Sequence, residues 1–214
     1  MLALCHTPSR REAGCDEAGR GPLAGPVVAA AVLLPEGYSN EALDDSKKLT
    51  EKQREALRPA IEADADAWAV ASVSPVEIDH LNILHASTHA MCLAAKALLG
   101  EQADGVVSGG RRLGKAIPDF LLVDGNRFYN ETPLPYLTIV GGDAKYMAIA
   151  AASILAKTYR DEAMTRLAAE YPGYGWDRNK GYPTAEHYDA IERLGITPHH
   201  RRSFTLYRQH SLFE

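Results

Sequence analysis

Residues 15–35 read "CDEAGRGPLAGPVVAAAVLLP" and combine an acidic pair, a glycine-rich loop and an apolar run that a proline closes. The apolar run, residues 27–34, is rich in valine and alanine and predicts a buried strand. The pair Asp16 and Glu17 stands just before the loop, where a preceding strand would end. Two adjacent carboxylates at the entrance to a buried strand need something that neutralises their charge.

Helix and strand signals alternate farther along the chain. Capping boxes at Thr50–Gln53 and Ser74–Glu77 each open a helix, and the second helix is predicted to run unbroken to Gly100. Strands are predicted at "AWAVASVS", "DFLLVDG" and "PYLTIVGGD", and two more helices at "AKYMAIAAASILAKTYRDEAMTRLAAEYP" and "TAEHYDAIERLG". Strands in succession, followed by strands that alternate with helices, indicate an α/β fold with a mixed sheet.

The composition is that of a globular protein, with 214 residues, 46% of them hydrophobic, and a net charge of −5. No apolar run reaches the roughly 18 residues that a membrane span needs, and the first residues lack the apolar core of a signal peptide. We therefore expect a cytoplasmic protein that contacts no membrane. Three cysteines without metal-ligand spacing indicate reduced thiols and no zinc site. Residues 157–208 are the basic part, which suits either phosphate contact or a solvated surface.

Four acidic residues stand at the ends of strand signals: Asp16, Glu17, Asp124 and Asp143. A single acid in such a place is most often a turn former or a helix cap. Three such places in one sheet instead predict converging carboxylates, which repel one another unless cations neutralise them. Oxygen ligands alone select hard cations, so we expect two Mg²⁺ or Mn²⁺ ions and the hydrolysis of a phosphodiester.

The glycine loop does not fit the known nucleotide-binding loops. It reads "GRGPLAG" from residue 19, without the lysine and hydroxyl residue of a P-loop, and it leads into a strand and not a helix. Glycines do allow a polymer to approach the backbone closely, where peptide groups can bond a sugar hydroxyl. The 2′-hydroxyl is the group that distinguishes RNA from DNA at such a contact.

Seven segments of the chain resemble, in order, the signature segments of bacterial ribonuclease HII. They extend from Gly14 to Phe204 and read "DEAGRGPLAGPVVAAAV", "DDSKKLTEKQR", "IDHLNILHA", "LLVDGNR", "GGDAKYMAIAAASILAKTYRD", "YGWDRNKGYPTAEH" and "HHRRSF". The resemblance implies a ribonuclease H-like fold with a central mixed five-stranded sheet and a helical C-terminal segment. It also implies cleavage of the RNA strand of RNA/DNA hybrids and incision 5′ of single ribonucleotides in duplex DNA, leaving 3′-hydroxyl and 5′-phosphate ends.

The same resemblance implies roles for individual residues. The four acids correspond to the family's two-metal site, and the segment Gly19, Arg20 and Gly21 to the loop that reads the 2′-hydroxyl. Tyr182 corresponds to the tyrosine that stacks on the sugar of the following deoxynucleotide. The family likeness favours phosphate contact over plain solvation for Ser46, Lys47 and Lys48. Lys157 and Arg160 share a helix face, where phosphate contact competes with salt bridges to the neighbouring acids.

The last residues read "RQHSLFE" and resemble a short peptide by which bacterial replication proteins dock on the sliding clamp. Gln209, Leu212 and Phe213 would be its contact residues, although a frayed end that packs back on the protein fits equally well. We expect a monomer with one catalytic domain over residues 1–214. It would consist of a core at about 11–165, a helical part at about 166–208 and a tail at 209–214.

One departure from the family pattern lies between residues 103 and 118. This stretch contains four glycines with little periodicity and predicts a surface loop longer than usual. Its cations Arg111, Arg112 and Lys115 fit an additional phosphate contact or a solvated loop, and the glycine content favours the solvated loop.

Two other classes of function remain as alternatives. A catalytically silent module that binds RNA/DNA hybrids would have the same fold, although the presence of all four acids speaks against it. A phosphotransferase on a related fold would need a site for a nucleoside triphosphate, and no suitable loop occurs in the sequence.

Overall fold

The computed structural model describes residues 2–102, 104–111 and 117–207, with only the backbone described at Arg111. Within these ranges a mixed six-stranded sheet has the strand order β4-β3-β2-β1-β5-β6. The strands are β1 Glu12–Ala18, β2 Val27–Leu33, β3 Ala67–Val73, β4 Val106–Arg111, β5 Phe120–Asp124 and β6 Tyr136–Ile139. The helices are α1 Glu51–Asp64, α2 Pro75–Leu81, α3 Ile83–Leu98, α4 Met147–Glu170, α5 Trp176–Asn179 and α6 Ala185–Leu194.

The pairing of the strands brings the ends of β1 and β5 together. The pairs β1–β2, β2–β3 and β3–β4 are antiparallel, whereas β1–β5 and β5–β6 are parallel. Cys15 on β1 pairs with Val123 on the parallel strand β5, so the residues that follow them, Asp16 and Asp124, come to neighbouring positions near the ends of the two strands. The α/β class and the mixed sheet predicted from the sequence are confirmed.

Strand β2 is the centre of the core and is buried on both faces. Val27, Ala29, Ala31 and Leu33 pack on one face with α3, and the alternate residues pack on the other face with α1 and α4. This two-sided burial explains why its sequence is continuously apolar and does not alternate. The buried strand predicted at residues 27–34 is thereby confirmed.

The sheet has six strands and not the five that were expected, because the stretch predicted as a surface loop contributes β4. This edge strand pairs antiparallel with β3. Its glycines lie against Trp68: a Cβ added at Gly110 would stand 2.9 Å from the indole nitrogen, and one at Gly109 3.0 Å from the Trp68 carbonyl. Glycine therefore marks close packing here and not a turn. Arg112, Lys115 and the side chain of Arg111 lie outside the described residues.

The helix predicted from Ser74 to Gly100 is two helices, α2 and α3, which meet at Asn82. Asn82 has a positive φ of 65°, and its side chain accepts hydrogen bonds from the backbone N–H groups of Leu84 and His85. Asparagine tolerates positive φ better than most residues and caps the first turn of the new helix. The two capping boxes at Thr50 and Ser74 form as predicted.

The C-terminal part packs on the glycine-rich loop through its own apolar cluster. Leu23 and Ala24 of the loop lie in this cluster with Trp176, Ile191 and Met164. Backbone bonds reinforce the contact, since Leu23 N–H donates to the Gly181 carbonyl and Gly25 N–H to the His199 carbonyl. In the segments that the structure describes, no helix is long and apolar enough to span a membrane.

Two buried histidines in this part predict a loss of stability in acid. His187 and His200 lie with their Nε2 atoms 3.3 Å apart, and Trp176 Nε1 donates to His187 Nε2 at 2.9 Å. Burial lowers the pKa of His187, and burial together with the neighbouring His187 lowers the pKa of His200 to about 4. Because the unfolded chain takes up protons at higher pH, this stability is complete above about pH 6.5 and is lost as the pH falls towards 4.

The expected loss from His200 is up to about 3 kcal/mol of unfolding free energy between these pH values. Urea unfolding of the wild type and of His200→Asn at several pH values measures it, and the variant should show the shallower pH dependence. His80→Asn, at an exposed position, is the matched control and should follow the wild type. Equal slopes for His200→Asn and the wild type would contradict the assignment of neutral, buried rings.

Candidate active site

The described structure brings the predicted acids to one end of the sheet. Asp16 and Glu17 lie among the last three residues of β1, Asp124 closes β5, and Asp143 lies in a 3-10 turn, Gly142–Ala144, just before α4. The Gly142 N–H donates to Asp124 Oδ1 at 2.7 Å and thereby joins the turn to β5. A cleft of about 290 Å³ opens there, lined by Asp16, Glu17 and Asp124 among others.

Burial and mutual repulsion raise the pKa of these carboxyl groups. The pKa of Asp16 is raised well above its ordinary value, first by burial and then by Glu17 and Asp124. Burial likewise raises the pKa of Asp124, and Asp143 adds to the effect. Burial also raises the pKa of Glu17, which the Arg20 guanidinium opposes at 3.2 Å. A site in which acids destabilise one another favours the binding of cations.

The adjacent acids Asp16 and Glu17 reach the same cleft although side chains alternate along a strand. The Glu17 N–H donates to Asp16 Oδ1 at 2.7 Å, so the Asp16 carboxylate is held against the backbone of the next residue. Glu17 meanwhile pairs with Arg20 in the loop that follows. The end of β1 therefore places both side chains at the cleft, as the sequence required.

The donor set fits hard divalent cations, because it consists of carboxylate oxygens that repel one another. In the parts of the chain that the structure describes, no group of three or more histidine, cysteine, aspartate and glutamate side chains is already arranged to hold a metal ion. Protein cations hold two of the carboxylates instead: Lys47 Nζ lies 3.3 Å from Asp143 Oδ2, and Arg20 pairs with Glu17. The Lys47 side chain is 79% exposed.

The glycine-rich segment forms one wall of the cleft. Gly19, Arg20 and Gly21 line it together with Tyr182 from the C-terminal part. Gly21 and the tyrosine ring are close, since a Cβ added at Gly21 would stand 3.5 Å from Tyr182 Cε1. The Tyr182 side chain is 43% exposed. The loop and the ring predicted to read the sugar therefore stand on the same cleft as the acids.

The polar residues assigned to phosphate contact differ in their surroundings. Ser46, Lys47 and Lys157 line the cleft. Ser46 is buried and its hydroxyl lies 2.8 Å from that of Ser153. Lys157 Nζ pairs with Asp161 at 2.7 Å, and the exposed Lys48 pairs with Asp44 at 3.1 Å. Both lysines thus have acidic partners.

Arg160 lies in the interior and not on the cleft surface. Its side chain is 1% exposed and donates to the backbone carbonyls of Pro26, Ala24 and Lys180. These donors point at protein carbonyls and not at a surface along which a substrate backbone could run. Gln209, Leu212 and Phe213, predicted as clamp contacts, lie outside the described residues.

Three residues outside the predicted set of site residues also support the site. A hydrogen bond from the Ser153 side chain lowers the pKa of Asp16, against the larger raising effect of burial. Arg54 lines the cleft and donates to the Ser46 carbonyl, and Arg201 donates to the glycine loop. No sequence spacing marks these residues, because each reaches the site only through tertiary packing. The nearest to a sequence signal is the position of Ser153 in a run of small residues.

Solved structures with the same architecture are enzymes of the ribonuclease H type. The ribonuclease H2 from Pyrococcus horikoshii superposes with a TM-score of 0.67 at 27% identity, over 91% of this chain and 94% of that one. The RNase HII in the PCNA:RNase HII complex from Archaeoglobus fulgidus gives 0.70 at 26% identity, over 94% and 98%. The sheet and the carboxylates at its strand ends thus define a ribonuclease H-like protein.

The family model described as Ribonuclease HII matches residues 13–207. Ribonuclease HII of Parabacteroides distasonis is 57% identical over 206 residues, which cover 96% of each protein. The chain belongs to the ribonuclease HII family and is a ribonuclease H-type endoribonuclease. The resemblance stated from the seven segments is confirmed, and family membership speaks against a silent binding module.

Proposed function

We propose that this protein hydrolyses the RNA strand of RNA/DNA hybrids and cuts duplex DNA on the 5′ side of single ribonucleotides, in a metal-dependent reaction. The observation that carries the proposal is the set of buried, mutually repelling carboxylates beside a glycine-lined wall. The proposed products are a 3′-hydroxyl and a 5′-phosphate. Such an incision would begin the excision of ribonucleotides from DNA.

Asp16, Glu17, Asp124 and Asp143 would hold two divalent ions, Mg²⁺ or Mn²⁺. When bound, the ions supply an activated water and stabilise the departing 3′-oxygen of the phosphodiester. The protein contributes the placement of the carboxylates: the Glu17 N–H fixes Asp16, and the Gly142 N–H fixes Asp124. Lys47 is placed to compensate the charge of Asp143 and to meet a phosphate when the cleft is filled.

The residues on the cleft wall would recognise the ribose. Gly19, Arg20 and Gly21 offer backbone to the 2′-hydroxyl, and Tyr182 offers an exposed ring to the next sugar. Ser46, Lys47, Lys48 and Lys157 would meet the phosphates around it. Arg160 would support recognition from the interior, because its donors are directed at carbonyls of the loop.

Residues 1–214 would act as one catalytic domain, as a monomer in the cytoplasm. The bonds and apolar contacts between the glycine loop and the C-terminal part support a single unit. The tail residues Gln209, Leu212 and Phe213 would bind a sliding clamp. The Archaeoglobus fulgidus relative was solved as a complex with PCNA, which supports clamp binding in general and not the choice of these residues.

Cleavage of a DNA duplex that contains one ribonucleotide tests the proposal. We expect the wild type to cut 5′ of the ribonucleotide with Mg²⁺ or Mn²⁺, and to leave the all-deoxy duplex intact. The Asp124→Asn variant should lose at least roughly 10³-fold in rate, because it removes a carboxylate from the metal site. The end chemistry is read from ligation of the product after phosphatase treatment or without it.

Two results would contradict the proposal. Cutting that is as fast in chelator as in Mg²⁺ would rule out metal dependence, and full activity of Asp124→Asn would rule out the acid cluster. Binding of the hybrid without cleavage in the wild type would instead favour a silent binding module.

A further inference from the structure

We propose that Arg201 and Arg160 are positioning residues that fix the backbone of residues 19–26 and thereby set the preference for ribose over deoxyribose. The inference rests on the proposed function, in which this loop reads the 2′-hydroxyl. It assigns to the two buried arginines a role in recognition without contact with the substrate.

Arg201 holds the part of the loop that lines the cleft. Its guanidinium donates to the carbonyls of Gly19 at 2.7 Å, Arg20 at 3.1 Å and Gly25 at 3.0 Å. Its backbone N–H donates to the Leu23 carbonyl. One side chain thus bonds carbonyls at both ends of the loop, for which the planar fork of arginine is suited and the point charge of lysine is not.

Arg160 holds the second half of the loop and ties it to the C-terminal part. Its donors reach the carbonyls of Pro26 at 3.1 Å, Ala24 at 3.3 Å and Lys180 at 3.0 Å. Lys180 comes two residues before Tyr182. The same guanidinium therefore joins the glycine loop to the segment that carries the ring expected to stack on the sugar.

The two guanidinium groups are buried without a carboxylate at ion-pair distance among the described residues. Arg201 is 0% exposed and Arg160 is 1% exposed. Burial lowers the pKa of both groups, and the charge of Arg160 lowers that of Arg201 further. Buried charges of this kind are costly, and the carbonyls of the loop are what compensates them. The two guanidinium charges are therefore tolerated only while the loop carbonyls point at them.

The bonds to Arg201 fix the direction of the N–H groups that face the cleft. A trans peptide holds its C=O and N–H on opposite sides. Because the Gly19 and Arg20 carbonyls point at Arg201, the N–H groups of Arg20 and Gly21 point away from it. Among the described residues, neither the Arg20 N–H nor the Gly21 N–H donates a hydrogen bond to a backbone carbonyl. They are left as donors for an oxygen in the cleft.

Gly19 is fitted to this arrangement. Its φ is +96°, and a Cβ added there would stand 2.0 Å from Arg160 Nε. Glycine is thus required both by the backbone conformation and by the guanidinium beneath it. The loop and the two arginines therefore pack so closely that neither can move without the other.

The test compares Arg201→Lys and Arg160→Lys with Arg202→Lys, an exposed neighbour that serves as matched control. Each is made in an Asp124→Asn background, so that binding is measured without cleavage. The first readout is the ratio of affinities for a duplex with one ribonucleotide and for its all-deoxy counterpart, in Mg²⁺. The second is hydrogen exchange of residues 19–26, at a temperature at which α3 is equally protected in all variants.

We expect Arg201→Lys to reduce the ribose preference about tenfold and to speed exchange in residues 19–26, with a smaller effect for Arg160→Lys. Arg202→Lys should match the parent. Unchanged exchange in both variants would overturn the inference, and so would faster exchange with an unchanged affinity ratio. A parent without any ribose preference would refute the proposed reading of the 2′-hydroxyl, while the exchange data would still decide whether the arginines hold the loop.

Discussion

The Asp16→Asn variant is expected to lose at least roughly 10³-fold in cleavage rate and to unfold at a higher temperature than the wild type in metal-free buffer. Activity falls because a carboxylate is removed from the proposed metal site. Stability rises because the amide carries no charge into a buried position beside Glu17 and Asp124. Its carbonyl oxygen can still accept the bond that Glu17 N–H gives to Asp16.

The gain in stability should depend on pH with a definite sign. The raised pKa of Asp16 means that the folded wild type binds this proton at a higher pH than the unfolded chain does. The wild type therefore loses stability as the pH rises from the ordinary range of an aspartate through the raised pKa. The advantage of Asp16→Asn is largest above that pKa and shrinks as the solution is acidified.

Differential scanning calorimetry at several pH values, with and without Mg²⁺, makes this measurement. Asp177→Asn, which changes an exposed aspartate of α5, is the matched control and should alter neither activity nor the pH dependence. Added Mg²⁺ should raise the melting temperature of the wild type more than that of Asp16→Asn. Equal melting temperatures for Asp16→Asn and wild type at neutral pH would show that burial and the neighbouring carboxylates do not destabilise a charged Asp16.

The Gly14→Ala variant is expected to lose at least about 3 kcal/mol of unfolding free energy. Strand β1 and helix α4 approach so closely at this glycine that an added Cβ would stand 2.2 Å from the backbone carbon of Ala148 and 2.3 Å from the nitrogen of Ile149. Backbone atoms cannot rotate away as a side chain can. The strand and the helix must separate, and Asp16 and Ser153 would separate with them.

Urea unfolding of Gly14→Ala measures this cost. Gly37→Ala is the control, because Gly37 has a positive φ of 71° but nothing within 4 Å of an added Cβ. It should cost only about 1–2 kcal/mol, the penalty of the backbone conformation alone. A similar cost for both variants would mean that β1 and α4 can move apart without loss.

The elements with strong local signals were predictable. The capping boxes at Thr50 and Ser74, the apolar strand β2 and the end of α6 at Gly195 follow from short-range rules. The break at Asn82 was missed, because the helical pattern continues across it and only the side-chain cap reveals the new start. Strand β4 was missed, since its glycines are selected by contact with Trp68.

The α/β class, the family and the candidate acids with the glycine loop could be predicted from the sequence, because these depend on residue types at fixed local spacing. The contacts that hold these residues in place depend on tertiary packing. Arg201 stands far along the chain from Gly19, and Ser153 from Asp16, so no local pattern links them. Such contacts arise only when the sheet, α4 and the C-terminal part pack together, and burial then fixes the charges and directions of the groups at the cleft.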